Sequence, residues 1–403
     1  MRGFAQRVTV EHAIAWIDSV LAEFRSLPTV ELPLREAAGR VLADDVVSPL
    51  NVPRFARSMM DGFAVRSEET YGATSYNPLA LRIIGTCLPG TPFPTTVNSG
   101  EAVRIMTGAP LPQGADAVVP VEQTELSGDD VRVLGEVSAG KHVGQVGEDL
   151  RSGETVLASG RVLRPQDLGV LSSIGVGRVT VIRSPRVRIV ITGNELLAAG
   201  TVPTGFQIAD ANGPMLESLV SRDGGEVMVS DIVPDDSESI RSALLAPADL
   251  VLISGSSSVG QEDHAARLLA ESGELAIHGV AMRPSSPAGM GRLPGRLVFL
   301  LPGNPVSCLC AYDFFAGRAI RALAGRSTEW PYRQIQVPLA RKLVSTVGRV
   351  DYARVKLDAG LAEPIAISGA SILSSTTRAD GFVIIPADSE GSPPGALVDV
   401  FLY

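Results

Sequence analysis

The chain offers little for redox chemistry or soft-metal binding. Its three cysteines, Cys87, Cys308 and Cys310, form neither a disulfide framework nor a zinc-ligand spacing. Cys308 and Cys310 stand two apart in an expected helix, so they do not share a face, and plain buried thiols in a reducing cytoplasm are the expectation. The four histidines, His12, His142, His264 and His278, show no paired metal spacing. No Gly-x-Ser-x-Gly, His-Glu-x-x-His or Walker A loop occurs, and Gly175-Val176-Gly177 lacks the third glycine of a dinucleotide fingerprint. Serine hydrolase, zincin and P-loop kinase chemistries are therefore disfavoured. No apolar run approaches the ~18 residues of a membrane span, and residues 1–6 lack the apolar core of a signal peptide. Basic residues number 35 against 44 acidic, a net charge of −9, which argues against a general nucleic-acid or anionic-membrane binder. An anion site here has to be a local concentration of positive groups in an acidic protein.

Glycine and proline are plentiful, and three of the turns they mark share one context. Thr192-Gly193-Asn194-Glu195-Leu196, Ser254-Gly255 running on to Asp263, and Leu301-Pro302-Gly303-Asn304-Pro305-Val306-Ser307 each follow a short apolar run and precede a potential helix. In an open parallel sheet such turns gather at the carboxyl ends of the strands, where ligands bind. Helix N-termini there present free N–H groups to anions. The pattern predicts an anionic, phosphorylated ligand.

The organisation along the chain supports this placement. Thr9 is positioned to cap a helix reaching about residue 25, with Ile14, Ile17, Val20, Leu21 and Phe24 on one apolar face. Residues 53–147 read as short β runs between Gly/Pro/Asn turns, an all-β unit that looks inserted between helix-rich stretches. Residues 186–325 alternate strand and helix, which predicts a doubly wound parallel sheet. After Trp330-Pro331 the β texture returns as a small C-terminal domain. The expected fold class is α/β plus β, and multidomain. Its divisions are 1–48 with 149–182 as a bipartite helical and β domain, 49–148 as the insert, 183–327 as the doubly wound domain and 328–403 as the C-terminal β domain.

Carboxylates cluster at turns. Asp61 and Asp149 lie in Gly-containing bends, while Glu195, Asp210, Asp235 and Asp263 fall near the ends of the doubly wound strands. Magnesium takes hard oxygen ligands, usually one or two carboxylates plus substrate phosphates, and Asp235 with Asp263 suits that pattern. The candidate anion-binding groups are Arg283, Ser286, Ser307 and Arg354, beside the Pro302-Gly303-Asn304-Pro305 bend.

Several motifs in combination resemble the MoeA and gephyrin E-domain family of molybdopterin molybdenumtransferases. They are Ser58-Met59-Met60-Asp61-Gly62-Phe63-Ala64-Val65, Arg104-Ile105-Met106-Thr107-Gly108-Ala109-Pro110, Gly147-Glu148-Asp149, Thr192-Gly193-Asn194-Glu195, Ser258-Val259-Gly260 leading to Asp263, and Leu301-Pro302-Gly303-Asn304-Pro305-Val306-Ser307. The resemblance spans essentially the whole chain. It implies a doubly wound domain like that of MogA proteins and a homodimer whose active site lies between that domain and the partner's insert. It implies joining of molybdate to adenylylated molybdopterin with release of AMP. Asp61, Asp149, Glu195, Asp235 and Asp263 would be the functional acids, with Asp235, Asp263 and Ser258 holding Mg²⁺. Pro302 to Pro305 would shape the pterin and phosphate pocket, and Ser307 and Arg354 would lie near molybdate. An alternative implication is a gephyrin-like scaffold that anchors a partner peptide in the groove between the doubly wound and C-terminal domains. The family's Lys-Pro-Gly-Lys-Pro is here Arg283-Pro284-Ser285-Ser286-Pro287, and a further frequent lysine falls at Gly279. A lost charged hydrogen bond at such a position costs ~1.5–3 kcal/mol.

Overall fold

A computed structural model describes residues 7–24, 27–255, 264–366 and 369–403. The described chain folds as two compact units, one comprising 1–31, 39–41 and 180–403, the other 32–38 and 42–179. No helix among the described residues is long and apolar enough to cross a membrane.

The larger unit opens with helix α1 (Val10–Glu23), capped as expected by Thr9 Oγ1, which accepts from the His12 amide at 3.2 Å. Its Val10, Ala13, Ile17 and Val20 are buried in the main core. The sheet elements follow in order: β1 (Arg186–Thr192), α2 (Asn212–Arg222), β2 (Glu226–Val233), α3 (Ser237–Leu245), β3 (Leu250–Ser254), α4 (His264–Ser272), β4 (Glu274–His278), the two-residue β5 (Met282–Arg283), β6 (Gly289–Leu293), β7 (Arg296–Leu301), α5 (Pro305–Ala311) and α6 (Gly317–Leu323). The sheet order is β2-β1-β3-β7-β6-β4. The first four of these strands run parallel. This is the doubly wound core the alternation predicted, and apolar layers cover both of its faces. The last two strands are antiparallel and extend the sheet beyond the expected set. Between α5 and α6 the helix widens into a π turn at Tyr312–Ala316, which offsets the two helical segments.

The same unit continues into a β domain built from β8 (Arg333–Pro338), β9 (Val350–Asp358), β10 (Leu361–Ala366), β11 (Gly381–Ile385) and β12 (Leu397–Leu402). Its sheet order is β5-β9-β11-β12-β8, with β10 on β9. β5 comes from the doubly wound stretch, so the sequence around Arg283 is stitched into the C-terminal sheet.

The second unit holds a six-stranded sheet ordered Ala117–Pro120, Gly62–Val65, Glu101–Ile105, Leu79–Cys87, Asp130–Val133 and Thr124–Ser127. The glycine after Asp61 has a packing reason. A Cβ on Gly62 would stand 2.0 Å from the Val119 carbonyl oxygen.

Candidate functional site

Two hollows open in the larger unit at the carboxyl ends of β3 and β7, and they share Pro287, Pro302 and Asn304. Strand β7 ends at Leu301, and Pro302 to Pro305 turn the chain into α5, with Pro305 at its first position. The bend of small and cyclic residues is thus a partition with one hollow on each side.

The first hollow, about 740 Å³, is cationic. Arg7, Arg283 and Arg349 line it together with Ser286 and Ser307. Arg7 is brought there because Val8 forms a bridge to Val280, with its amide donating to the Gly279 carbonyl at 3.2 Å. Arg283 lies on β5, whose register sets it opposite Asp351 of β9, and the two side chains form an ion pair. Arg349 precedes β9 and reaches the same carboxylate, Nε to Oδ1 at 3.2 Å. Ser286 Oγ is buried and finds no hydrogen-bond partner among the described residues, an unspent polar group on the wall. Ser307 is buried at the start of α5, and its carbonyl accepts from the Ser285 hydroxyl.

The second hollow, about 650 Å³, carries acceptors. Glu195 and Asp210 line it with Thr192, Asn212, Ser254 and Ser371. Asp210 Oδ1 accepts from the amides of Asn212 and Gly213 at 2.9 and 3.0 Å, anchoring the first turn of α2. The Asn212 amide nitrogen donates to Ser254 Oγ at 2.9 Å and to the Gly303 carbonyl at 2.8 Å. The carbonyl can only accept, which fixes the amide's orientation. Asn212 Oδ1 and Thr192 Oγ1 are then left as buried groups without a partner among the described residues. The hollow favours a ligand that donates hydrogen bonds, such as an amino-bearing heterocycle.

The structure places the residues read from sequence as follows. Arg283, Ser286, Pro302, Asn304 and Ser307 line the first hollow; Glu195, Pro302, Gly303, Asn304 and Pro305 line the second. Asp235 follows β2, half-buried, with its amide donating to Asn194 Oδ1 at 3.2 Å, so Asn194 serves as a backbone acceptor. The neighbouring Asp236 caps α3 through the amides of Glu238 and Ser239. Asp263 and Ser258 lie outside the described residues. Asp61 and Asp149 belong to the second unit. Asp61 Oδ1 accepts from the amide and hydroxyl of Thr107, both at 2.7 Å, and the amide bond holds its carboxyl below the ordinary range. Asp149 is exposed, its amide donating to the Val52 carbonyl.

Arg354 requires a correction. It is fully buried in β9, its Nε donates to the Ala366 carbonyl at 3.3 Å, and it is absent from the walls of both hollows. The guanidinium that does line the cationic hollow from this segment is Arg349, which the sequence reading missed, together with Arg7. Asp210, named from the sequence among the strand-end acids but given no role, lines the second hollow together with Asn212 and Thr192, which the sequence did not single out. The local text Asp210-Ala211-Asn212-Gly213, an acid and an amide just before a helix, was the available signal. Gly279, where the resemblance leads one to look for a lysine, has φ 106°, a left-handed backbone that suits glycine and strains any side-chain-bearing residue.

Three family signatures match the chain. The MoeA N-terminal region (domain I and II) covers residues 8–175, a "probable molybdopterin binding domain" covers 188–322, and the MoeA C-terminal region (domain IV) covers 336–403. A Mycobacterium tuberculosis protein named molybdopterin molybdenumtransferase 2 is 36% identical over 383 residues, 92% of this chain and 94% of that protein. A Staphylococcus aureus molybdopterin molybdenumtransferase is 31% identical, across 96% of this chain and 94% of its own. The crystal structure of a molybdopterin biosynthesis MoeA protein from Pyrococcus horikoshii superposes with a TM-score of 0.81 at 32% identity, covering 99% of this chain and 100% of the other. With signatures in sequence along its length, a matching fold and relatives above 30% identity end to end, the chain belongs to the MoeA family.

Proposed function

We propose that this protein acts in molybdenum cofactor biosynthesis as a molybdopterin molybdenumtransferase, inserting molybdate into adenylylated molybdopterin and releasing AMP. The observation that carries the reading is the pair of hollows divided by the Pro302–Pro305 bend, one lined by arginines and the other by acceptors. Such a substrate combines phosphate and molybdate oxyanions with a heterocycle rich in N–H donors, and each half has a chemically matched side. Arg7 and Arg283 meet oxyanions, with the unpartnered Ser286 hydroxyl as a further donor. Asn212 Oδ1, Asp210 and Glu195 meet the donor edge.

Magnesium belongs to this reading, held by Asp235 and Asp263 with help from Ser258. The fit rests on chemistry: Asp235 offers a hard carboxylate at a strand end, on the same sheet edge as Glu195 and Asp210. When bound, the ion would offset phosphate charge as the phosphoanhydride breaks. A homodimer also belongs to it, with Asp61 supplied by a second copy. The deciding experiment gives purified protein molybdate, Mg²⁺ and adenylyl-molybdopterin and follows AMP. We expect release that is abolished in an Asp235→Ala, Asp263→Ala double variant. Equal release from the wild type and that variant would overturn the reading.

The scaffold alternative draws on a third hollow, about 420 Å³, where Ile14, Phe314, Trp330, Tyr332 and Phe401 meet. Its aromatic lining suits an apolar peptide side chain. An intact fold without AMP release would move the balance towards it.

A further inference from the structure

The cationic hollow holds two guanidinia tied to one buried acid. Asp351 is fully buried, and its carboxylate pairs with Arg283, stands 3.2 Å from Arg349 Nε, and accepts from Ser345 Oγ at 2.7 Å. Each arginine side chain keeps about one-third of its surface open, 32% for Arg283 and 33% for Arg349. The backbone enforces this, because the parallel register of β5 on β9 sets Arg283 directly beside Asp351.

Two neighbouring guanidinia repel, and a lone carboxylate with no exposure to water is costly unless paired. Sharing Asp351 resolves both problems and still leaves a net positive charge at the wall. A guanidinium has five N–H donors. Arg283 directs one nitrogen to Asp351, while Arg349 faces Asp351 as an ion pair at 3.2 Å without hydrogen-bond alignment and donates Nη2 to Thr346 Oγ1 at 3.4 Å. Enough donors remain on each for bidentate contact with a tetrahedral oxyanion. Ser286 Oγ, buried on the same wall and without a partner among the described residues, supplies another.

We propose that Arg349 binds the oxyanion directly beside Arg283, and that Asp351 is the positioning residue that aims both. The inference rests on the reading that this hollow takes molybdate or phosphate. It assigns the charge missing at Gly279 and Ser286 to Arg349, a residue of a different segment.

The test is equilibrium dialysis of the full-length protein with molybdate alone, at fixed low ionic strength, so that no turnover is needed. Arg349→Ala should weaken molybdate binding roughly tenfold or more, and Arg349→Lys should recover only part of it, since an ammonium lacks the planar fork. Asp351→Asn is the discriminating variant. If the acid acted only through its charge, removing it would tighten anion binding; if it aims the two arginines, removing it weakens binding. Weaker binding in Asp351→Asn and Arg349→Ala, with the thermal midpoint of Arg349→Ala unchanged, supports the proposal. Where Asp351→Asn fails to fold, the two Arg349 variants decide. Wild-type binding that Arg349→Ala leaves intact overturns the assignment while the oxyanion reading stands. Absence of molybdate binding by the wild type defeats that reading first, and this inference with it.

Discussion

Behind the acceptor-lined hollow lies a buried charge network whose removal has a calculable cost. Asp223 ends α2, the helix that carries Asn212 at its other end. Its Oδ2 is 2.9 Å from Arg222 Nη2, 3.0 Å from Arg321 Nη1 and 3.0 Å from the Tyr312 hydroxyl. Asp313, in the π turn, accepts from Arg222 Nη2 and the Tyr332 hydroxyl, both at 2.9 Å. Burial pushes the Tyr312 and Tyr332 hydroxyls well above the ordinary phenol range, so both remain protonated donors. Both Asp side chains have no exposure, and Arg321 retains 3%.

In Asp223→Asn the shape survives and the charge does not. Arg321 is then left buried without a carboxylate beside it, its Nη2 donating to the Thr328 carbonyl at 3.1 Å. Breaking one partner out of a buried pair costs about 3–5 kcal/mol, a large share of the ~5–15 kcal/mol that holds a domain folded. The chain's two tryptophans, Trp16 and Trp330, both lie in the larger unit, and Trp330 Nε1 donates to the Asp313 carbonyl at 2.9 Å. Urea unfolding followed by tryptophan fluorescence therefore reports on this unit. The prediction is a loss of about 3–5 kcal/mol for Asp223→Asn, and a cost well below the sum of the singles when Arg321→Met is added, because the stranded charge is gone. A loss under ~1 kcal/mol, or simple additivity, would show that the network carries no such energy.

Two further expectations concern side chains outside the site. All three cysteines are buried, and burial raises their thiols, Cys308 to about 12; a thiol reagent at pH 8 should label none in the native protein and three after unfolding, and fast native labelling would contradict the packing. In the second unit, hydrogen bonds from Arg161 and then Arg164 hold Asp167 far below the usual carboxylate range. A depressed folded-state value means stabilisation that is complete above about pH 4 and lost as pH falls towards the folded value. Asp167→Asn should therefore cost about 1–2 kcal/mol at pH 7, discounted because both arginines are partly solvated, and the penalty should shrink in acid when followed by circular dichroism; a pH-independent penalty would count against the ion pairs.

Much of the architecture was legible because it rests on local chemistry. Thr9 capped its helix, and the apolar runs ending at the three glycine-marked turns became the parallel strands β1, β3 and β7. The antiparallel edge escaped notice for a physical reason. In Gly289-Met290-Gly291 the glycines suppress the strand signal, yet a Cβ on Gly291 would lie 1.9 Å from the Glu274 carbonyl, so close cross-strand approach demands them. The π turn was equally hidden, since Tyr312-Asp313-Phe314 reads as ordinary helix until the offset turns Asp313 towards Arg222 and Tyr332. Arg354 and Arg349 show the limit of a motif: resemblance names the segment, but strand facing and burial decide which guanidinium reaches the hollow.

The departures in the Arg283–Pro287 stretch become coherent when taken together. Ser285 stands where the resembling motif has glycine, and it holds φ 85°, a left-handed conformation costing a residue with a side chain roughly 1 kcal/mol or more. Its hydroxyl donates to the Ser307 carbonyl, a buried hydrogen bond worth about as much in return. The strain is thus offset by a tether between the Arg283 turn and the helix that begins at the Pro302–Pro305 bend. A flexible lysine headgroup works as a point charge and tolerates an untethered turn, whereas a guanidinium binds through a planar fork and needs its backbone fixed. Arginine for lysine and serine for glycine therefore act as one change: the first alters how the anion is gripped, and the second holds the grip in place against α5.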